Sequence, residues 1–129
     1  MSLIHTCYRI LDIDRSVDFY EALGFREMSR FPIGDEAINV YMGQPEDGPE
    51  PRLELTYNIG RTEPYETGTG YGHIAVSVTG LTEILESLAE RGIGPESPPY
   101  SVGDDSSLLC FLRDPDGYRV ELIERRGDA

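Results

Sequence analysis

At 129 residues the chain can form one compact unit, or two very small modules sharing a core, without disulfide staples. Its formal charge of −13 sets 24 acidic residues against 11 basic ones, every one an arginine, with no lysine. Such a field opposes nucleic acid and anionic lipid, which are bound through clustered cations, and no apolar run approaches the roughly 18 residues a membrane span needs. The first residues carry no signal-peptide apolar stretch, so a cytoplasmic location is expected.

The elements follow in chain order. From His5 an apolar run, Thr6-Cys7-Tyr8-Arg9-Ile10, reads as a strand. A short helix comes next, with Asp14 as the expected N-cap and Val17, Tyr20 and Leu23 along one side. Gly24 is placed to end it in a left-handed conformation. Strands are expected over about 25–31, 37–43 and 52–58, the last two separated by a Gly-, Pro- and acid-rich connection at 44–51. A polar stretch rich in Gly and Thr spans 59–70.

The plan then restarts at His73. A strand leads to a helix whose Leu81, Ile84, Leu85 and Leu88 recur at i, i+3, i+4 and i+7, and Gly92 is placed to end it. Strands are expected over about 93–97, 107–113 and 118–124, the last two joined by the turn Asp114-Pro115-Asp116-Gly117. Gly24 lies 19 residues after His5, and Gly92 lies 19 after His73. The chain therefore reads as an α+β fold of two tandem βαβββ modules, 1–62 and 71–129, with 63–70 as linker and curved sheets enclosing a cleft. Cys7 and Cys110 lack a CxxC spacing and fall in apolar runs, so both are expected to be small buried thiols.

Each module opens on a histidine and ends on a glutamate. Glu54 lies 49 residues after His5, and Glu121 lies 48 after His73. Because side chains alternate along a strand, Glu54 faces away from Leu53 and Leu55 and shares a face with Thr56 and Asn58. Two imidazoles and two carboxylates brought together would neutralise and hold a divalent ion such as Ni, Co, Zn or Fe. No local motif such as HExxH is present, so the pattern rests on the equivalence of the two copies.

Several stretches carry a resemblance. They are His5-Thr6 with Arg9, Arg15-Ser16-Val17-Asp18-Phe19-Tyr20, Leu53-Glu54-Leu55-Thr56-Tyr57-Asn58, Tyr71-Gly72-His73-Ile74-Ala75, and Asp114-Pro115-Asp116-Gly117-Tyr118 with Glu121-Leu122-Ile123-Glu124. Together they make the chain similar, end to end, to the short bacterial form of the glyoxalase I (lactoylglutathione lyase) family of the vicinal oxygen chelate superfamily. The resemblance implies a homodimer with shared active sites, each holding one divalent metal on His5, Glu54, His73 and Glu121. A histidine in first place implies Ni(II), with Co(II) or Zn(II) as alternatives. The implied reaction isomerises the hemithioacetal of a 2-oxoaldehyde (methylglyoxal) and a thiol, such as glutathione, into a 2-hydroxyacyl thioester. Glu121 would be the base and Glu54 its counterpart for the other substrate face.

Arg9 and Asn58 match positions that hold the charged γ-glutamyl end of glutathione, and Leu109 and Phe111 match apolar pocket positions. One departure stands out. The family often supplies lysines from the segment matching 98–107, where this chain has Asp104 and Asp105 and no cation, which leaves the thiol open between glutathione and another low-molecular-weight thiol. Other superfamily chemistries have different requirements. Dioxygenases and fosfomycin-type thiol transferases use two His and one Glu, and the related epimerase usually has Gln in place of Glu54. A bleomycin-resistance-like binding dimer, the reading without catalysis, tends to line its groove with tryptophan, of which this chain has none.

Overall fold

The computed structural model describes residues 1–103 and 107–125. The chain divides into two compact units, Met1–Glu66 and Thr67–Ala129. In the first, β1 (Thr6–Ile10), α1 (Ile13–Ala22), β2 (Arg26–Ile33), β3 (Ala37–Gly43) and β4 (Leu53–Asn58) form one helix and a four-stranded sheet of order β1-β4-β3-β2. In the second, β5 (Ile74–Ser77), α2 (Leu81–Glu90), β6 (Ser107–Arg113) and β7 (Arg119–Arg125) form one helix and a three-stranded sheet of order β5-β7-β6.

Strand alternation sorts the residues in both units. Tyr8, Ile10, Val40, Met42, Leu53 and Leu55 are buried in the first, and Cys110, Leu112, Val120 and Leu122 in the second. The helices contribute Val17, Phe19 and Tyr20 in the first unit and Leu81 and Leu88 in the second. Glu124 of β7 reinforces the second unit, because its Oε1 accepts the N–H groups of Gly80 and Leu81 at 2.9 and 3.1 Å. That places a carboxylate on the otherwise unsatisfied amino end of α2.

Both helices end alike. Gly24 (φ 95°) and Gly92 (φ 76°) take the left-handed conformation. The N–H of Phe25 reaches back to the Tyr20 carbonyl at 3.1 Å, and that of Ile93 to the Leu88 carbonyl at 3.0 Å. Each is a Schellman ending. The start of α1 differs from expectation. Asp12, with an extended backbone (φ −147°, ψ 112°), is the N-cap and accepts the Arg15 N–H at 3.0 Å. Asp14 already lies within the first helical turn.

The expected strand at 93–97 does not form. Pro95, Pro98 and Pro99 have no N–H to offer a ladder. What remains is a Glu96 N–H bond to the Phe111 carbonyl at 2.8 Å and an isolated bridge between Tyr100 and Leu109. Strand edges elsewhere fall within two residues of the expected ones, and 37–43 and 107–113 coincide.

The helix endings give a measurable consequence. Gly92→Ala leaves nothing within 4 Å of the new Cβ but forces a left-handed alanine. It should cost about 1–2 kcal/mol and lower the thermal midpoint by roughly 3–8 °C. Gly94→Ala, equally uncrowded and without a positive φ, should change it little. Equal effects at the two positions in a melting experiment would contradict this account.

Candidate functional site

In each unit the first strand runs parallel to the last. Cys7 stands opposite Glu54, and Ala75 stands opposite Glu121. A histidine sits two residues before the glutamate's partner in both cases, just ahead of the strand. The shared register brings His5 Nε2 to 3.9 Å from Glu54 Oε1 and His73 Nε2 to 3.2 Å from Glu121 Oε1. Side-chain exposure matches as well, at 32% and 35% for the imidazoles and 13% and 15% for the carboxylates. The ring nitrogens are therefore within reach of a ligand, while the carboxylates are sheltered. Among the described residues, no three His, Cys, Asp or Glu side chains are grouped to hold a metal ion. Each unit brings together one imidazole and one carboxylate.

The surroundings of the two carboxylates differ sharply. Glu54 Oε1 accepts the Tyr41 hydroxyl at 2.6 Å and the Asn39 amide at 3.0 Å. The Thr56 hydroxyl donates to Asn39 Oδ1 at 2.9 Å and lies 3.5 Å from Glu54 Oε2. Cys7 Sγ completes the network, 3.4 Å from the Thr56 oxygen. Burial pushes the Glu54 carboxyl up, but hydrogen bonds from Cys7 and Tyr41, the charge of His5 and the Thr56 hydroxyl outweigh it. The pKa ends below the ordinary glutamate value. Tyr41 is held above its ordinary value, chiefly by its bond to Glu54, and partial desolvation raises the Cys7 thiol. Cys7 is exposed on this face rather than buried, whereas Cys110 is buried as expected.

Glu121 stands opposite Phe111 of β6, whose ring meets His73 edge-on at 5.0 Å. The Arg119 guanidinium lies 3.9 Å over the same ring. Arg119 is itself held by Glu96 through bonds of 3.0 and 2.8 Å. Phe111 is thus fixed between a tethered cation and the imidazole.

The expected substrate residues take the following places. Arg9 is exposed on β1 opposite Thr56. Asn58 ends β4, with its Oδ1 accepting the Tyr65 hydroxyl at 3.2 Å. Leu109 and Phe111 lie on the Glu121 face of the sheet, opposite Cys110 and Leu112; Phe111 is half-buried, whereas Leu109 is buried. Asp104 and Asp105 lie outside the described residues. Sequence reading passed over Asn39 and Tyr41. The available signal was to lay the third strand of one copy on that of the other, which sets Asn39 against Leu109 and Tyr41 against Phe111.

Comparison with known proteins agrees with this architecture. The model of the Glyoxalase/Bleomycin resistance protein/Dioxygenase superfamily matches residues 2–122. The chain belongs to this superfamily. A lactoylglutathione lyase of Escherichia coli O157:H7 is 37% identical over 98% of this chain and 94% of its own length, which places the chain in the lactoylglutathione lyase family. A lactoylglutathione lyase of Arabidopsis thaliana is 36% identical over 95% of this chain. The chain spans only 44% of that plant relative. Among solved structures, the trypanothione-dependent glyoxalase I of Leishmania major superposes with a TM-score of 0.77 at 32% identity, covering 96% of this chain and 86% of the other.

Membership of the glyoxalase I family implies a divalent metal, and the donors present suit one. Each unit offers a nitrogen and a charged oxygen, and two such pairs would neutralise a dication of the Ni, Co, Zn or Fe type. In metal-free protein, NMR titration of the Glu54 side chain should give a midpoint below the ordinary glutamate value. The stability this carboxylate contributes is then complete above the ordinary glutamate range and is lost as pH falls through the lowered pKa. Glu54→Gln should flatten that acid-side loss; a midpoint at or above the ordinary value would refute the network's charge-stabilising effect.

Proposed function

We propose that the protein is a cytoplasmic lactoylglutathione lyase-like isomerase, working as a homodimer. It converts the hemithioacetal of a 2-oxoaldehyde, methylglyoxal above all, and a low-molecular-weight thiol into the 2-hydroxyacyl thioester, and so detoxifies the aldehyde. The observation that carries this reading is the repeated His–Glu pair, at the same strand register in both units, in a chain 37% identical to a bacterial lactoylglutathione lyase over nearly its full length. Homodimers with shared sites would let His5 and Glu54 of one copy and His73 and Glu121 of another hold one ion, preferably Ni(II). When bound, the ion supplies Lewis acidity toward the two neighbouring oxygens of the substrate.

The remaining steps belong to the protein. Glu121 takes the proton from the carbon that carries sulfur and returns it to the adjacent carbon, while a proton passes between the two oxygens. No bond to sulfur breaks, and substrate and product are isomers. A carboxylate can do this only if it swings free of the ion during turnover. Glu54 is the second carboxylate ligand and stays on the ion, on the other side of the substrate. Leu109 and Phe111 form an apolar wall beside Glu121 that keeps water from the reacting carbon.

Arg9 and Asn58 are proposed to grip the polar end of the thiol. An arginine fork suits a carboxylate, and Asn58, with its oxygen taken by Tyr65, has N–H donors to offer. Thiol choice varies within the family, since the Leishmania relative is trypanothione-dependent. The lack of a cation across 98–107 supports a thiol less dependent on a cationic grip at that end than glutathione, with glutathione as the reference case.

Purified protein, stripped with chelator and reloaded with Ni(II), should isomerise methylglyoxal mixed with a suitable member of a thiol panel, read as thioester formation. Glu121→Gln should still bind nickel and should lose about 10²–10⁴-fold in kcat. Wild-type rates in that variant would exclude Glu121 as the base. Failure of the reloaded protein with every thiol would exclude the isomerase.

A further inference from the structure

The two glutamates occupy equivalent places in a duplicated frame, yet their neighbours are chemical opposites. In the first unit the strand partners place Cys7 and Tyr41 opposite Glu54, and Asn39 opposite Thr56. In the second unit the same places hold Ala75 and Phe111 opposite Glu121, and Leu109 opposite Ile123. Cys, Tyr, Asn and Thr around one carboxylate are thus replaced by Ala, Phe, Leu and Ile around the other. The strand register is common to both, so the contrast lies in which side chains stand at these places.

We propose that Tyr41 and Asn39, with Thr56 behind them, are positioning residues that lock Glu54 as a permanent metal ligand and leave Glu121 as the carboxylate able to detach. This deepens the isomerase reading and rests on its ligand assignment. The hydrogen bonds divide the labour. Thr56 donates to Asn39 Oδ1 at 2.9 Å, which fixes the amide so that its N–H₂ group faces Glu54. Asn39 and Tyr41 then both donate to Oε1, occupying the two lone pairs of that oxygen and leaving Oε2 with spare acceptor capacity. Tyr41 is braced in turn by stacking on Phe31, with centroids 5.4 Å apart and planes at 28°, and it meets His5 edge-on at 5.7 Å. To swing away, Glu54 would have to break two bonds to its charged oxygen, one of them only 2.6 Å long. The Phe111, Leu109 and Ile123 side chains have no hydrogen-bond donor with which to hold Glu121 in the same way. One half of the duplication anchors, and the other half moves.

The test uses metal affinity together with a reciprocal swap. Nickel dissociation constants are measured on the full-length protein by competition with a chromogenic chelator, and kcat and KM are measured on the loaded forms. Tyr41→Phe keeps the ring and its stacking, and Asn39→Leu copies the second unit. Each should weaken nickel binding by roughly 10–100-fold, the effect usual for partners that orient a metal ligand. Phe111→Tyr places a hydroxyl opposite Glu121 and should lower kcat by roughly tenfold or more while nickel affinity holds or tightens, because the mobile carboxylate is now tethered. Nickel constants within twofold of wild type in both Tyr41→Phe and Asn39→Leu overturn the locking role. So does a Phe111→Tyr protein with unchanged kcat. A wild-type protein that binds no nickel overturns the ligand assignment and this inference together, which separates the two failures.

Discussion

Everything in this protein that resembles a working site depends on one constraint, the parallel pairing of the first strand of each unit with its last. Parallel neighbours cannot be joined by a tight turn, so a helix and two further strands, or one in the second unit, are inserted between them. The pairing fixes which residue of β1 faces Glu54 and which residue of β5 faces Glu121, and a histidine two positions earlier then lands beside the carboxylate. A slip of one residue would turn Glu54 into the core and leave Leu53 or Leu55 on the open face. Apolar burial and ligand placement are therefore enforced by the same alternation. The hydrophobic side of each strand holds the chemical side in register.

Duplication explains why the two pairs match, and divergence explains why they are not interchangeable. An oligomer of two-unit chains with identical halves would offer two equivalent carboxylates, either of which could bind or move. Here one accepts bonds from hydroxyl and amide donors on the neighbouring strand, while the cross-strand partners of the other, Ala75 and Phe111, offer only carbon. The tethered Arg119 pressing on Phe111, and Phe111 on His73, extends the contrast, since the second unit fixes its imidazole by packing where the first engages its carboxylate by hydrogen bonds.

Much of this could be read from the amino acids, for identifiable reasons. Gly24 and Gly92 mark the helix ends because a Schellman ending needs a left-handed residue, and that requirement is local. The His and Glu positions stand out because the same spacing occurs twice. Failures arose where tertiary context decides. Two aspartates, Asp12 and Asp14, both suit an N-cap, and only the backbone angles choose between them. Ile93–Ser97 holds the place of a strand in the repeat until Pro95, with Pro98 and Pro99 just beyond, is weighed against the ladder's need for N–H donors. Cys7 sits in an apolar run, yet alternation puts it on the open face. Asn39 and Tyr41 could be set against Leu109 and Phe111 by overlaying the two copies, but only the register of β3 on β4 shows that they reach Glu54.

We propose that the two His–Glu pairs act on one ion. X-ray absorption at the nickel edge of the loaded protein measures it most directly, because imidazole rings leave a distinct multiple-scattering signature. Two imidazoles per nickel are expected in the wild type, falling to one in His5→Ala and to one in His73→Ala. A wild-type spectrum with a single imidazole or none, or one that either substitution leaves unaltered, would contradict it.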